Sequence, residues 1–352
     1  MRTALALALA GCHHDPDLPE DLGDRVATVV GGWEDESGVW PSWGNIAWAS
    51  DGRELYYREE PEGCAPPCRG IRAVDVETTE SRLVVGDLWQ ILQIQVLFDG
   101  DSLVFGQTAD TTTHPEAEVG IFQVNLEGGP PERVVEAEGR FALSPVLARL
   151  AYAEHTTLTV FDFARGTVHQ VTVPADTAPI QFSAEGEVLV SDRSEISIVA
   201  DDGTLAAWTP NPRLDVAGVH QEGDVRELVF LDEQDRVTVV DREGRRRTVT
   251  DEGALDNLRL DCAALSPDGQ VAALWLQTDC VEESDNGTAC EAFQHVLALV
   301  DLPSGAVRTI GATRLPDDDL PYPTMPWTMV FSPDGSQLAY VMDGGLYVKS
   351  VP

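Results

Sequence analysis

Carboxylates and aromatic rings are the side chains here that could do chemistry, and they gather in a few stretches. Asp317, Asp318 and Asp319 precede Tyr322 and Trp327. Glu282, Glu283 and Asp285 form a second acidic group, and Asp110, Glu116 and Glu118 a third; Trp33, Trp40, Trp43 and Trp89 punctuate the N-terminal third. Clustered carboxylates suit a hard cation, and Ca²⁺ is the one such oxygen ligands would take, although no EF-hand spacing is present. Exposed aromatic side chains suit a protein partner. Core packing is the ordinary use of a tryptophan, and solvation the ordinary use of an acidic run.

Signatures of covalent or nucleotide chemistry are missing. There is no G-x-S-x-G, no H-E-x-x-H, no P-loop and no G-x-G-x-x-G after a strand. Lys349 is the one lysine among 23 basic residues, which leaves little for a Schiff base. His114, His155, His169, His220 and His295 occur singly. The sequence therefore predicts no catalytic residue and no cofactor other than the Ca²⁺ considered above.

Five cysteines lie beyond Cys12. Cys280 and Cys290 bracket a polar stretch between two apolar runs, so a disulfide would close the end of a hairpin, worth roughly 2–3 kcal/mol. Cys64-Ala-Pro-Pro-Cys68 sits in the equivalent loop of another repeat and reads as a disulfide or as half of a metal site. No second pair at zinc-finger spacing accompanies it. Cys262 lies in an apolar run and reads as a small buried hydrophobe.

The charge balance narrows the partners. Sixty acidic residues against 23 basic give a net charge of −37 over 352 residues. That field opposes nucleic acid phosphates and anionic lipid surfaces. A 43% apolar content supplies a core for a chain long enough to bury about 75% of its unfolded surface.

The N-terminus, Met1-Arg-Thr-Ala-Leu-Ala-Leu-Ala-Leu-Ala-Gly-Cys12, has a basic residue and a short apolar run ending in small residues, the pattern of a signal peptide over residues 1–11. Leu9-Ala10-Gly11-Cys12 resembles the lipobox of bacterial lipoproteins. That resemblance implies lipidation at Cys12, a lipid-anchored linker over 12–23, and a place in the bacterial cell envelope, periplasmic or at the cell surface. His13 and His14 belong to this polar linker.

From residue 24 to 352 the chain repeats one unit, seen most clearly from Trp327 to Val351. Apolar runs rich in Val, Tyr and Phe flank Ser332-Pro333-Asp334-Gly335, and another run follows Asp343-Gly344-Gly345. Such runs separated by Asp-Gly turns predict an antiparallel meander. Trp43 to Gly86 and Leu88 to Glu136 repeat the plan, and so do four further units. The expected fold is an all-β, single-domain, seven-bladed propeller of four-stranded antiparallel blades; six or eight blades would also fit the pattern. The short seventh unit predicts closure by an N-terminal strand at Asp24-Arg-Val-Ala-Thr-Val-Val30. The turns at Ser50, Ser266 and Ser332, each followed by a Leu-containing strand, resemble TolB-type and WD-repeat-like propeller units. TolB's preceding α/β domain has no counterpart here.

Strand order divides the turns between two faces. The tight Asp-Gly turns share one face, and the long segments Glu59 to Arg69, Thr108 to Val119, Cys280 to Cys290, Gly311 to Met325 and Gly31 to Trp43 share the other. They belong to blades 6, 7, 1 and 2. The sequence thus predicts a monomeric module that binds a protein or small ligand in the envelope through this face, with Trp40, Trp43, Trp89, Tyr322, Trp327 and Asp317 to Asp319 on it. A divalent-cation-dependent hydrolase or lactonase-like enzyme with a site at the central channel is the alternative.

Overall fold

The computed structural model describes residues 22–28, 46–59, 67–97, 99–109, 114, 117–137, 140–144, 147–183, 186–192, 195–200, 202–210, 216–222, 225–231, 236–241, 243–250, 255, 259–283, 290–316, 328–342 and 345–352. Among them the strands form seven four-stranded sheets, the blades of an all-β propeller. The N-terminal strand is β1 (Asp24–Thr28). Blade 1 contains β2 (Ile46–Trp48), β3 (Glu54–Glu59), β4 (Arg69–Asp75) and β5 (Ser81–Leu88). Blade 2 contains β6 (Gln90–Val96), β7 (Ser102–Thr108), β8 (Gly120–Asn125) and β9 (Glu132–Val135). Blade 3 contains β10 (Phe141–Leu143), β11 (Arg149–Glu154), β12 (Thr157–Asp162) and β13 (Gly166–Thr172). Blade 4 contains β14 (Ala178–Phe182), β15 (Val188–Ser191), β16 (Glu195–Val199) and β17 (Leu205–Pro210). Blade 5 contains β18 (Val216–Glu222), β19 (Val225–Leu231), β20 (Val237–Asp241) and β21 (Arg246–Thr248). Blade 6 contains β22 (Arg259–Leu265), β23 (Val271–Glu283), β24 (Cys290–Asp301) and β25 (Val307–Pro316). The last sheet contains β26 (Met329–Phe331), β27 (Gln337–Met342) and β28 (Gly345–Ser350), and β1 pairs antiparallel with β28, Asp24 opposite Val348 and Thr28 opposite Gly345.

Local chemistry explains the turns. In Ser332-Pro333-Asp334-Gly335 the Ser332 hydroxyl donates to Asp334 Oδ1 at 2.6 Å and accepts from the Gln337 N–H at 2.9 Å. Gly335 takes a φ of 74°, which a side chain would resist. Ser266 and Asp268 repeat the arrangement at 2.6 Å. These turns also touch across blades. A Cβ on Gly335 would lie 3.7 Å from Cδ of Pro267, and one on Gly52 would lie 3.7 Å from Cδ of Pro333. The turns at Gly335 and Gly52 are therefore each packed against the turn of the blade before.

The middle strands are buried on both faces because each blade is sandwiched between two others, so they read as continuous apolar runs and not as alternations. Leu338 through Met342 are all buried. Between neighbouring blades lie separate apolar clusters: Tyr56 and Ile71 with Ile94 and Phe105, Val104 and Ile121 with Phe141 and Leu150, Leu158 and Val160 with Phe182 and Val190. Further round, Ile198 and Trp208 meet Val240, Val229 and Val239 meet Leu274 and Val296, and Trp275 and Leu297 meet Leu338 and Tyr340. Trp48 and Leu55 of blade 1 pack with Val341 and Leu346 of the last sheet. The indole N–H of Trp48 donates to the carbonyl of Val330 at 3.1 Å across that same junction.

A further inter-blade device was not legible beforehand. Arg82 on β5 donates to the carbonyl of Leu126 at 2.7 Å, Arg247 on β21 to that of Leu302 at 3.0 Å, and Arg308 on β25 to that of Pro352 at 3.0 Å. Each arginine stands on an outermost strand and holds the chain just after the third strand of the next blade. A charged donor on a carbonyl is among the stronger hydrogen bonds.

Candidate functional site

The innermost strand of each blade leads into a tight turn, so the first and third strands run toward the turn face and the second and fourth run away from it. The ends of β23 and β25 and the start of β24 consequently meet on the opposite face. Here blade 6 differs from its neighbours. Its β23 and β24 span 13 and 12 residues, where the second and third strands of the other blades span 4 to 7. At 3.2–3.4 Å per residue the excess carries the hairpin roughly 20 Å farther out. The innermost strand β22 accompanies it only as far as Arg259, opposite Gln277. Beyond that point, among the described residues, β23 pairs with β24 alone, with irregularities between Gln277 and Cys280, between Cys280 and Glu282, and between Glu282 and Glu283. Bulges of this kind keep an unpaired edge from taking on foreign strands.

Two expectations change here. The connection expected as a loop from Gly311 continues as strand β25 to Pro316, with Leu315 opposite Phe293. The disulfide expected between Cys280 and Cys290 does not fit the register. Cys280 lies opposite Phe293 and Cys290 opposite Glu283, so the two are three positions apart along the strands. That is roughly 10 Å, beyond the Cα separation a disulfide spans. Strand β23 continues to Glu283, past Cys280, where the end of the hairpin was expected.

At the base of the hairpin, His295 is buried opposite Gln277, and its Nδ1 accepts from the Trp275 indole N–H at 3.3 Å. Burial pushes its pKa down to about 4, so the imidazole is neutral at pH 7. Trp275 continues into Tyr340, which stacks on Tyr347 at 5.7 Å between ring centres. The Tyr340 hydroxyl donates to the carbonyl of Leu22. The histidine thus serves an aromatic junction between two blades.

Blade 2 contributes a second arrangement on the same face. Trp89, expected on a partner surface, is buried, and the His114 ring lies against it at 4.6 Å. Gln107 joins the two sides, accepting from the Trp89 N–H at 3.1 Å and donating to the Glu118 carbonyl at 2.5 Å. Trp89 is therefore the seat on which the segment after β7 rests, and its ring is not available to a partner. Arg58, also buried, donates to the Ile91 carbonyl at 3.3 Å from the adjacent blade.

Along the channel, Gln93 and Gln95 of β6 share one side of the strand. Their side-chain carbonyls accept from the N–H groups of Phe141 and Leu143 at 3.2 and 3.0 Å, which satisfies part of the inner edge of blade 3. The alternation Gln93-Ile94-Gln95 was the available signal.

Cys68 is engaged in a disulfide, and Cys64 lies outside the described residues. Cys262 stands outside any disulfide and packs against the cluster of blades 6 and 7. Cys12, Trp33, Trp40, Trp43, Asp110, Glu116, Asp285, Asp317, Asp318, Asp319, Tyr322 and Trp327 also lie outside the described residues. Among those described, no three His, Cys, Asp or Glu side chains are grouped to hold a metal ion.

No family model and no curated protein matches this chain. Solved structures do match it, at identities that establish the fold alone. A chain of the mitotic checkpoint complex aligns over 98% of this chain and 99% of its own length, at 12% identity and a TM-score of 0.62. An oligogalacturonate lyase from Vibrio parahaemolyticus aligns over 88% and 90% at 12% identity, with a TM-score of 0.60. An oligogalacturonate lyase in complex with manganese aligns over 95% and 99% at 13% identity, with a TM-score of 0.59. The C-terminal WD40 domain of Sif2 aligns over 95% and 99% at 11% identity, with a TM-score of 0.52.

Proposed function

We propose that this chain is a lipid-anchored binding module of the bacterial cell envelope, a seven-bladed ring closed by β1 that meets a protein or small ligand with the long-loop face of blades 6, 7, 1 and 2. One observation carries the reading. The blade 6 strands project well past their neighbours on one face, while the turns of the other face are tight. A stable sheet gains nothing from such an extension, whereas a recognition surface does. The WD40 neighbour, like this chain, is a propeller. Trp40, Trp43, Tyr322, Trp327 and Asp317 to Asp319 remain the proposed partner side chains, and the charge of −37 favours a basic or uncharged partner.

The test replaces residues 279–293 with an Asn-Gly turn joining Thr278 to Gln294. Retained melting with loss of the proteins that wild type captures from envelope extract is the expected outcome. Unchanged capture by a folded variant would move binding elsewhere.

A second reading, a divalent-cation-dependent hydrolase or lactonase-like enzyme, draws on the manganese bound to the oligogalacturonate lyase neighbour. It requires calorimetry with Ca²⁺ or Mn²⁺ to raise the melting temperature and a chelator to reverse the rise.

A further inference from the structure

The propeller has a fixed entrance for its N-terminal segment. Strand β1 is outermost in the last sheet, and its register places Thr28 opposite Gly345, the start of β28, and Asp24 opposite Val348. The β27–β28 turn, between Met342 and Gly345, lies on the long-loop face. Strand β1 therefore runs from the turn face toward the long-loop face, and whatever precedes it arrives at the turn face.

The entrance is also held in place. Leu22 packs against the cluster between blades 6 and 7, and its carbonyl accepts the Tyr340 hydroxyl. A Cβ on Gly23 would lie 2.4 Å from the Val348 carbonyl, so the backbone at this point is pressed against β28 and no bulkier residue fits. Gly23 has a φ of 89°, a conformation that turns the chain as it enters the strand. The same junction carries Trp275 on β23, whose far end is the blade 6 hairpin. The N-terminal segment and the hairpin thus sit at opposite ends of one pair of blades.

We infer that the chain, when held by its N-terminal segment, stands on its turn face and presents the blade 6 hairpin away from the anchoring membrane, so its partner approaches from the aqueous side and is not a lipid or an embedded segment of that membrane. This rests on the proposed anchoring at Cys12. The twelve residues from Cys12 to Gly23 can reach at most about 40 Å. The turn face stays near the surface, and the hairpin is separated from it by the height of the propeller and its own extension.

The experiment separates anchoring from orientation. Anchoring is read by fractionating cells that make the full chain or its Cys12→Ala variant; release of the variant from membranes is expected, and an unchanged distribution would overturn lipidation at Cys12. Orientation is read on the full chain with an N-terminal histidine tag in place of residues 1–11, bound to vesicles containing nickel-chelating lipid and an acceptor dye in the headgroup region. A donor dye is placed through azidophenylalanine at either Glu243, on the turn face, or Thr288, in the hairpin connection. Energy transfer several-fold higher from position 243 than from position 288 is expected. Equal transfer, or more from position 288, would overturn the orientation whatever the result with Cys12→Ala. An azidophenylalanine at Asp51, on another turn, checks that a difference does not come from one altered site, and it should match position 243.

Discussion

The two faces of this propeller are built on different principles. On the turn face the connections are short and closed by hydrogen bonds within the turn, and several of their glycines are packed against the neighbouring blade; Gly305 is the extreme, since a Cβ there would lie 2.1 Å from the Val249 carbonyl. On the long-loop face the chain is held by side chains outside the turn itself, as where Gln107 bridges Trp89 and Glu118, or by extended strand pairing, as in β23 with β24. The turn face carries the closure of the blades, and the long-loop face has room to vary.

This difference can be broken or sharpened by substitution. The largest loss should come from Leu338→Ala, which empties a fully buried position between blades 6 and 7 and should cost about 3 kcal/mol in denaturant titration. A core change of this kind should destabilise both faces together. Gly305→Ala should cost about 2 kcal/mol or more, through positive φ and collision with backbone. Gly335→Ala should cost nearer 1 kcal/mol, since only its φ of 74° resists the change and the nearest neighbouring atom leaves room at 3.7 Å. Equal losses at the two glycines would mean that packing across blades adds nothing to the turn.

Two titrations should then separate the regions. Hydrogen bonds from Ser332 and from the N–H and hydroxyl of Ser336 hold Asp334 at a pKa of about 2. Its stabilisation is present above the ordinary carboxylate range and should fade as pH falls from about 4 toward 2. Asp334→Asn should flatten that part of a melting-temperature profile. His295 acts at a higher pH. Its folded pKa of about 4 lies below the ordinary 6.5, so the unfolded chain takes up the proton first and stability should fall as pH drops from about 6.5 to 4. His295→Gln should remove this slope and leave the lower one in place. The smallest effect on melting should come from the shortened blade 6 hairpin, within a degree or two of wild type by calorimetry.

The same contrast accounts for what could be read from the residues alone. The Ser-Pro-Asp-Gly turns announce themselves because proline, aspartate and glycine each act within four residues, and the strands between them follow from their apolar runs. Trp89 could not be placed, because its burial depends on His114 and Gln107, which come from a different strand and loop. The length of β23 was hidden by Thr278-Asp-Cys-Val-Glu-Glu283, whose polar residues suggest a loop and whose pairing comes from β24. The cysteines are already out of step in the register set below, where Val271 pairs with Asp301 and Gln277 with His295, and the bulges carry them one position farther apart. The arginines that hold the next blade resemble ordinary outward-facing charges until the neighbour is in place. Of the proposed partner surface, the acidic and aromatic residue types were legible, while their arrangement depends on which segments lie side by side.

The entry of the chain beside Tyr340 has a mechanical consequence. A pull on Leu22 toward the turn face runs along the axis of β1, and the hydrogen bonds joining β1 to β28 lie across that axis. They are loaded in shear, all at once, and not peeled apart one by one as they would be if the force acted at Thr28. A propeller held by its N-terminal segment on one side and by a bound partner on the other would resist extraction with its last sheet as a whole.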